Sequence, residues 1–235
     1  MDSTDTASSM HPLGYLGNPE DIQAVIFDVG GVLLVPMNDE CIEGQTAREF
    51  AAFFRSSFHT EYHLMNFRHL WHQFEVGEID EESFFALFCQ AFAASNGKEI
   101  STRAAREAVW GSGLGLCRPM VDTVRKLRVG GRRTAIISNA GRDAFGDVPE
   151  IGHMDLFDVT IVSGNVGMRK PDPAIYELAL ERLALPAEAC CFIDDLQHNL
   201  EPANRLGIRT IHCHDPELLA SQLVEFLLGE SGYEA

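Results

Sequence analysis

Short apolar runs recur along the chain in the pattern of strands that are buried on both faces of a sheet. The clearest run, AVIF, ends at Asp28 and contains no polar position. Continuous rather than alternating apolar residues are typical of parallel sheets with helices on both faces. The pattern predicts five such strands, at residues 23–28, 133–138, 158–163, 189–194 and 208–213.

Helical segments with clear ends separate the later strands. Asp172–Pro173 and Asp215–Pro216 each place an N-cap residue before a proline at the first helical position. Gly229 marks the end of the second of these helices, and a further helix is predicted from about 199 to 207. This alternation of strand and helix predicts an α/β fold with a doubly wound parallel sheet and right-handed crossovers.

Residues 38–117 show helical spacing of apolar positions and no strand-like run. We expect helices at about 45–57, 61–74 and 81–94, with Asp80 as the N-cap of the third, and a fourth helix from Ser101. Their many aromatic residues are typical of the core of a helix bundle rather than a ligand platform. The glycines of GSGLG indicate a flexible return linker rather than a phosphate loop, because they follow a helix and not a strand.

The predicted organisation is an α/β core interrupted by one helical insertion. Residues 1–20 are expected to form a flexible tail, and residues 21–37 and 118–235 the core. Residues 38–117 would form the inserted all-helical domain, which we call the cap.

Composition and charge exclude several classes of function. The chain has 46% hydrophobic and 23% charged residues, no apolar run of the length that spans a bilayer, and no signal-peptide pattern, so we expect a cytoplasmic protein without a membrane partner. With 18 Lys and Arg against 35 Asp and Glu, the net charge is −17, and nucleic acid is an unsuitable partner. An anionic substrate would need a local cation. The sequence does not define the oligomeric state.

The six cysteines form no C-x-x-C pair, and Cys190 and Cys191 are neighbours in an apolar stretch. This usage favours reduced, mostly buried thiols over a metal site or disulfides. The cysteines therefore suggest no redox chemistry.

Polar residues follow the predicted strands at the edge where ligands bind in open parallel sheets. Asp28 follows the first strand, Ser138 and Asn139 end the second, and Asp194–Asp195 end the fourth. Lys170 lies between the third strand and the next helix. We expect these four segments to converge on one site.

Three converging carboxylates repel one another unless a cation neutralises them, so the segments imply a divalent metal ion. Oxygen ligands, without His or Cys at the matching positions, favour Mg²⁺ over zinc. The same ion would allow an acidic protein to hold an anionic substrate. Mg²⁺ is therefore the predicted cofactor.

The four segments together resemble the haloacid dehalogenase (HAD) superfamily of hydrolases. Within it, AVIFDVGGVLL, GMRKPDPAIY and CFIDDLQHNLEPANRLGI are similar to sugar-1-phosphate phosphatases and to the N-terminal phosphatase domain of soluble epoxide hydrolases and its relatives fused to acyl-CoA dehydrogenases. The likeness covers about residues 22–228. It implies a HAD-like Rossmannoid core with a helical cap, and Mg²⁺-dependent hydrolysis of a small phosphorylated metabolite.

The resemblance also implies a role for each site residue. Asp28 would be the nucleophile, forming an aspartyl-phosphate, and a metal ligand. Asp195 and the backbone carbonyl of Gly30 would also bind the metal, while Asp194 would act through water or orient the lysine. The remaining roles concern the phosphoryl group: Ser138 and the backbone amide of Asn139 would hold its oxygens, Lys170 would neutralise its charge, and Asn199 would shape the loop.

The sequence departs from the family pattern at Gly30, where phosphatases usually carry a second Asp that acts as acid and base. A positioned acid or base typically contributes ~10²–10⁴-fold. Three outcomes remain open. The enzyme hydrolyses substrates with good leaving groups, His198 or Asp39 substitutes for the missing acid, or the protein binds phosphometabolites with little or no turnover in a regulatory role.

Two other interpretations are weaker. Haloacid dehalogenases of this superfamily typically have a bulky Tyr at the position of Gly30 and act without metal. His59 and His63 have the i, i+4 spacing of a zinc pair, but no acidic partner stands at the metalloprotease spacing. Cap packing or substrate contact is the favoured role of these histidines.

Overall fold

The computed structural model describes residues 11–36, 41–56, 67–111, 114–142, 144 and 156–230. Asp39, His59 and His63 lie outside the described residues. The strands are β1 (Ala24–Phe27), β2 (Leu34–Pro36), β3 (Leu114–Leu116), β4 (Arg133–Ser138), β5 (Val159–Val162), β6 (Cys190–Asp194) and β7 (Arg209–His212). Five of them form a parallel sheet in the order β5-β4-β1-β6-β7. These are the five predicted strands, and the α/β parallel fold is confirmed.

The helices include two that begin directly after the predicted capping residues Asp172 and Asp215. The helices are α1 (Gln45–Ser56), α2 (Phe67–Glu75), α3 (Glu81–Asn96), α4 (Thr102–Arg106), α5 (Arg118–Val129), α6 (Ser163–Val166), α7 (Pro173–Leu183), α8 (Gln197–Arg205) and α9 (Pro216–Leu228). The Asp172 carboxylate accepts from the amide of Ala174. Helix α8 begins two residues before the predicted start, at Gln197. No helix in the described ranges has the length and apolarity that crossing a bilayer requires.

Each face of the sheet is covered by its own apolar layer. In β1, Val25 and Phe27 lie in a cluster with residues of α5 and α9, such as Leu127. Ile26 points to the opposite face and lies in a second cluster that includes Tyr176 of α7. Alternate side chains of a strand face opposite sides, so every residue of β1 is buried. This double burial explains the uninterrupted apolar runs of the sequence.

The segment before β1 packs against the core. Leu13 and Leu16 are buried in the same cluster as Val25. The guanidinium of Arg132 donates to the backbone carbonyl of Pro19 at 3.1 Å. The prediction of a flexible tail is therefore wrong for residues 11–20, because two leucines in a polar segment give no periodic signal but are enough to anchor it. Residues 1–10 lie outside the described residues.

The sequence did not predict a short antiparallel ribbon. Strand β2 pairs with β3, with Leu34 opposite Leu116 and Val35 opposite Gly115. The GSGLG segment is thus not wholly a flexible linker, since its last two residues belong to β3. Strands of three residues are too short to show a period of two, which is why the pattern missed them.

Helices α1 to α4, which we call the cap helices, share a separate apolar cluster. Its members are mainly phenylalanines, and Phe74 and Phe84 stack with ring centroids 4.4 Å apart. Asp80 caps α3 as predicted, because its carboxylate accepts from the amide of Ser83 at 2.7 Å. The aromatic residues of this region that the structure describes are mostly core, as the sequence indicated.

All six cysteines are free thiols. Cys117, Cys190, Cys191 and Cys213 are buried, whereas Cys41 is exposed. Burial raises the pKa of the Cys191 thiol to about 12, so that this group stays protonated. The prediction of reduced and mostly buried cysteines is consistent with this arrangement.

Candidate active site

The carboxyl ends of three adjacent strands bring the predicted residues together. Strand β1 lies between β4 and β6, with Phe27 opposite Ile136 on one side and Ile193 on the other. The amide of Asp28 donates to the carbonyl of Ile193 at 2.8 Å, which fixes the first aspartate beside the end of β6. Parallel register thus places residues that are distant in sequence at one edge of the sheet.

Three carboxylates lie at this edge. One oxygen of each of Asp28, Asp194 and Asp195 lies within 4.8 Å of the others. Asp28 and Asp194 are buried and Asp195 is half-buried. The predicted convergence of these carboxylates is confirmed, although their roles remain predictions.

Lys170 reaches the same place from the loop after β5. Its Nζ lies 2.8 Å from Oδ1 of Asp28 and 2.6 Å from Oδ2 of Asp194. The residue is 1% exposed, so the ammonium is almost completely removed from water. Burial disfavours the charged form, but the two carboxylates outweigh it and raise the pKa of Lys170. The lysine therefore remains protonated.

The pKa values of the aspartates reflect the crowding of negative charge. Burial raises the pKa of Asp28 to about 7, with Lys170 opposing and Asp194 adding to the effect. Burial and the neighbouring Asp194 also raise the pKa of Asp195. One ammonium does not fully neutralise the three carboxylates, and a further cation would lower both pKa values.

Asp194 accepts three hydrogen bonds from two donors besides the lysine contact. The side-chain amide of Asn199 donates to both carboxylate oxygens, at 3.0 and 3.1 Å, and the amide of Leu196 donates to Oδ1 at 2.8 Å. The hydroxyl of Tyr176 in turn donates to the carbonyl of Asn199 at 2.7 Å. These bonds fix the Asp194 carboxylate toward Lys170, which makes Asn199 a supporting residue.

The end of β4 contributes two predicted phosphoryl ligands. Ser138 is 5% exposed and lies opposite Val162 of β5. The side chain of Asn139 bonds the backbone of Lys170 twice, donating to its carbonyl at 2.9 Å and accepting from its amide at 2.8 Å. The Asn139 side chain thus shapes the lysine loop, a role that the sequence did not suggest.

The two glycines after Asp28 have different surroundings. Gly31 has a φ of +72°, and a Cβ there would lie 2.5 Å from Oδ2 of Asp195. Only glycine suits both this conformation and this approach to the Asp195 carboxylate. A Cβ at Gly30 would meet no atom within 4 Å. Space is therefore available at the position where a second aspartate is missing.

His198, one of the two predicted substitutes for that aspartate, is not part of the carboxylate cluster found among the described residues. His198 is exposed on the first turn of α8, and Asp39 lies outside the described residues. A carboxylate that the sequence did not single out, Glu75 of α2, is buried and bonded to Arg169. Arg169 immediately precedes the predicted Lys170, but no sequence motif indicated Glu75. The contact between Glu75 and Arg169 joins residues that are distant in sequence.

The donor set fits a magnesium ion. It offers three carboxylate oxygens, which are ligands that this hard cation prefers. No nitrogen or sulfur ligand belongs to the cluster among the described residues, so it does not resemble a zinc site. The excess of negative charge is the second property that a divalent cation would satisfy.

Comparisons with known proteins find relatives that cover most of this chain. Acyl-CoA dehydrogenase family member 10 of Mus musculus is 28% identical over 225 residues, covering 88% of this chain and 19% of the relative. The chain thus spans about a fifth of that relative's length. The sesquiterpene phosphatase astK of Aspergillus oryzae is 27% identical over 199 residues, covering 82% of this chain and 90% of the relative.

A solved structure has a similar fold, and a family model identifies the family. A HAD family enzyme of Bacteroides thetaiotaomicron, in complex with magnesium and inorganic phosphate, matches with a TM-score of 0.62 and 23% identity. The match covers 83% of this chain and 96% of the other, and at this identity it shows the fold. The model of the haloacid dehalogenase-like hydrolase family matches residues 22–207. The chain is therefore a member of the haloacid dehalogenase-like hydrolases, as its strand-end motifs predict.

Proposed function

We propose that this protein is a Mg²⁺-dependent phosphatase that cleaves a small phosphorylated metabolite through an aspartyl-phosphate at Asp28. The observation that carries the proposal is the cluster of three carboxylates within 4.8 Å of one another. A buried ammonium lies 2.8 Å from one of them. The sesquiterpene phosphatase relative and the magnesium and phosphate in the similar structure support this reading.

Asp28, Asp194, Asp195 and the Gly30 carbonyl would hold the Mg²⁺ ion. When bound, the ion would neutralise the carboxylates and polarise the phosphoryl oxygens. Gly31 serves the site indirectly, because its missing side chain leaves room for the Asp195 carboxylate. Asp28, Gly30 and Gly31 all lie in one short turn after β1.

Asp28 is oriented for attack on phosphorus. The amide of Val29 donates to Oδ1 at 2.6 Å, and Lys170 Nζ contacts the same oxygen at 2.8 Å. Attack would form an O–P bond to the carboxylate and break the bond to the leaving group, whose oxygen would take a proton from solvent. Water would then hydrolyse the acyl phosphate, which releases phosphate and restores the carboxylate.

The surrounding groups would stabilise the transferring phosphoryl. Lys170 would neutralise charge on its oxygens, while the Ser138 hydroxyl and the amide of Asn139 would donate to them. These donors are held rigidly by β4 and by the paired Asn139 side chain. Preorganised donors in a buried site stabilise developing charge without first having to reorient.

A phosphometabolite-binding protein with little turnover is the second candidate function. The observation that favours it is Gly30, since no carboxyl group follows Asp28 at the usual acid position. A substrate with a good leaving group would make that acid unnecessary. We therefore favour hydrolysis of such substrates over binding without turnover. We further propose that residues 38–117 act as the cap that selects the substrate and that the protein acts in the cytoplasm.

The decisive test combines a panel of phosphorylated metabolites, Mg²⁺ or chelator, and Asp28→Asn. We expect turnover that requires Mg²⁺, and a loss of about 10³-fold or more in the variant because its amide cannot act as the nucleophile. Phospho-enzyme trapped from wild type should be missing from the variant. Asp122→Asn is the control, because this aspartate is half-buried on α5 and forms a surface pair with Arg125.

Two results would contradict the proposal. Wild-type turnover in Asp28→Asn would exclude the nucleophile, and equal rates with Mg²⁺ and with chelator would exclude the metal. Binding of phosphorylated metabolites without hydrolysis of any would favour the second candidate.

A further inference from the structure

One turn of the cap region contacts the loops of the core. We call residues 74–77 the docking turn, which covers the end of α2 and the residues after it. The ring of Phe74 lies so close to Gly141 that a Cβ there would overlap it. The carbonyl of Gly77 accepts from Nε of Arg142 at 3.2 Å. The docking turn therefore lies directly on the loop that follows the phosphoryl-binding end of β4.

The docking turn also carries a buried charge. Glu75 is 3% exposed, and its Oε2 accepts from Nε of Arg169 at 2.6 Å. The side chain of Trp71 provides a further hydrogen bond to this carboxylate. A buried carboxylate without partners is strongly unfavourable. Glu75 is therefore stable in this position only while α2 lies against the loop that carries Arg169.

Arg169 immediately precedes the site lysine. The backbone of Lys170 is bonded through both its amide and its carbonyl to the side chain of Asn139. The Arg169–Lys170 segment is thus held from the cap side by Glu75 and from the core side by Asn139. Its ammonium contacts Asp28 and Asp194. Displacement of this segment would move the ammonium relative to both carboxylates.

We propose that Glu75 is a positioning residue whose ion pair with Arg169 couples docking of the cap region to the placement of Lys170. The pair fixes the backbone from which the ammonium reaches the phosphoryl site. Glu75 acts through Arg169, since its carboxylate is already engaged by Arg169 and Trp71 and does not belong to the carboxylate cluster. The inference deepens the proposed function and rests on it for the role of Lys170.

Hydrogen exchange tests the coupling without any need for a substrate. We compare wild type with Glu75→Gln, which keeps the shape of the side chain and removes its charge. The amide of Lys170, which donates to Asn139, should exchange about 10- to 100-fold faster in the variant because a charge-assisted hydrogen bond on the adjacent residue is weakened. Amides of β1 should exchange at the wild-type rate.

The matched control is Glu81→Gln. Glu81 also pairs with an arginine at 2.6 Å, through Nε of Arg106, but both residues lie in the cap helices and the pair is partly exposed. This variant should leave the exchange of Lys170 unchanged. It therefore separates loss of a Glu–Arg pair in general from loss of the pair that bridges to the lysine loop.

Steady-state hydrolysis of p-nitrophenyl phosphate with Mg²⁺ provides the second readout. Glu75→Gln should lower kcat about 10- to 100-fold with little change in KM, because a misplaced group reduces transition-state stabilisation. Arg169→Gln should have a similar effect, and the double variant should be no worse than either single variant. Exchanging the two charges, with Glu75→Arg and Arg169→Glu together, should restore part of the loss.

The outcomes separate this inference from the proposed function. A wild-type protein without turnover would end the phosphatase proposal, and exchange at Lys170 would still decide the coupling. Wild-type exchange at Lys170 in folded Glu75→Gln would overturn the inference, as would equal acceleration at Lys170 and in β1. If Glu75→Gln does not fold, Glu75→Asp replaces it, with a smaller but still local acceleration expected.

Discussion

Two buried regions of the molecule are stabilised in opposite ways. The interior of the cap helices is made of rings, with Phe84, Phe88 and Phe92 completely buried. At the strand ends, equally complete burial encloses Lys170 and Asp194. Removing rings from water stabilises a fold, whereas removing charges from water destabilises it unless they are paired. Similar burial therefore has a structural role in one region and a chemical role in the other.

The predicted consequences of substitution differ in the same way. In the cap helices, a truncated ring leaves a cavity, and the energetic effect stays within the cluster. At the strand ends, each removed charge leaves another charge without its partner, so stability and chemistry change together. Four predictions test this contrast, from the largest expected effect to the smallest.

The largest effect is expected for Lys170→Met, which removes the ammonium from between two carboxylates. Turnover should fall about 10²–10³-fold, and the free energy of unfolding of the metal-free protein should fall by about 3–5 kcal/mol. Enzyme assays and urea titrations measure the two changes. Lys126→Met, at a surface pair with Glu230, should change neither. Loss of turnover with unchanged stability would break the contrast.

Gly30→Asp should produce a gain at the strand ends. The new carboxyl group enters open space and can protonate the leaving oxygen, so turnover of substrates with poor leaving groups should rise about 10²-fold. Assays with an alkyl phosphate measure the gain, and Gly30→Ala is the control for the added Cβ. Equal rates in the two variants would show that the missing carboxyl group does not limit turnover.

Phe92→Ala tests the cap side of the comparison. Phe92 is completely buried, with its ring centroid 5.4 Å from that of Phe50 and 5.5 Å from that of Phe53. The free energy of unfolding should fall by about 3–5 kcal/mol. The Mg²⁺ affinity of the folded protein, measured by calorimetry, should remain that of wild type. A large change in affinity would show that the two interiors are not independent.

The free energy of unfolding should depend on pH because of the buried charges at the strand ends. Burial raises the pKa of Asp28 from 3.8 to about 7, so between these values the unfolded chain loses a proton that the folded protein keeps. Stability of the metal-free protein should therefore fall as pH rises from 4 to 8, on the order of 1–4 kcal/mol. Urea midpoints measure the trend.

The same urea titrations should be repeated in the presence of Mg²⁺. The ion favours the charged carboxylates, so it should raise the urea midpoint at pH 8 more than at pH 5, and chelator should reverse the effect. Stability that rises with pH in the metal-free protein would contradict the assignment of Asp28 as a buried, incompletely neutralised carboxylate.

The contrast also explains which features the sequence could predict. The sheet was predictable because β1 and its neighbours are buried on both faces and therefore appear in the sequence as apolar runs. The site was predictable because its polar residues directly follow those runs. The ribbon of β2 and β3 was not predictable, because three-residue strands are too short to show a period of two. The role of Glu75 was not predictable either, because its partner Arg169 lies 94 residues away and only the packed structure brings the two together.

The β2–β3 ribbon constrains how the cap region can move. The chain leaves the core through β2 and returns through β3, and the amide of Cys117 extends the pairing by donating to the carbonyl of Leu33 at 2.9 Å. Sliding one strand past the other would break every one of these bonds, whereas bending the two together would preserve them. The paired strands therefore resist sliding past each other, whereas bending of the whole ribbon leaves its hydrogen bonds intact.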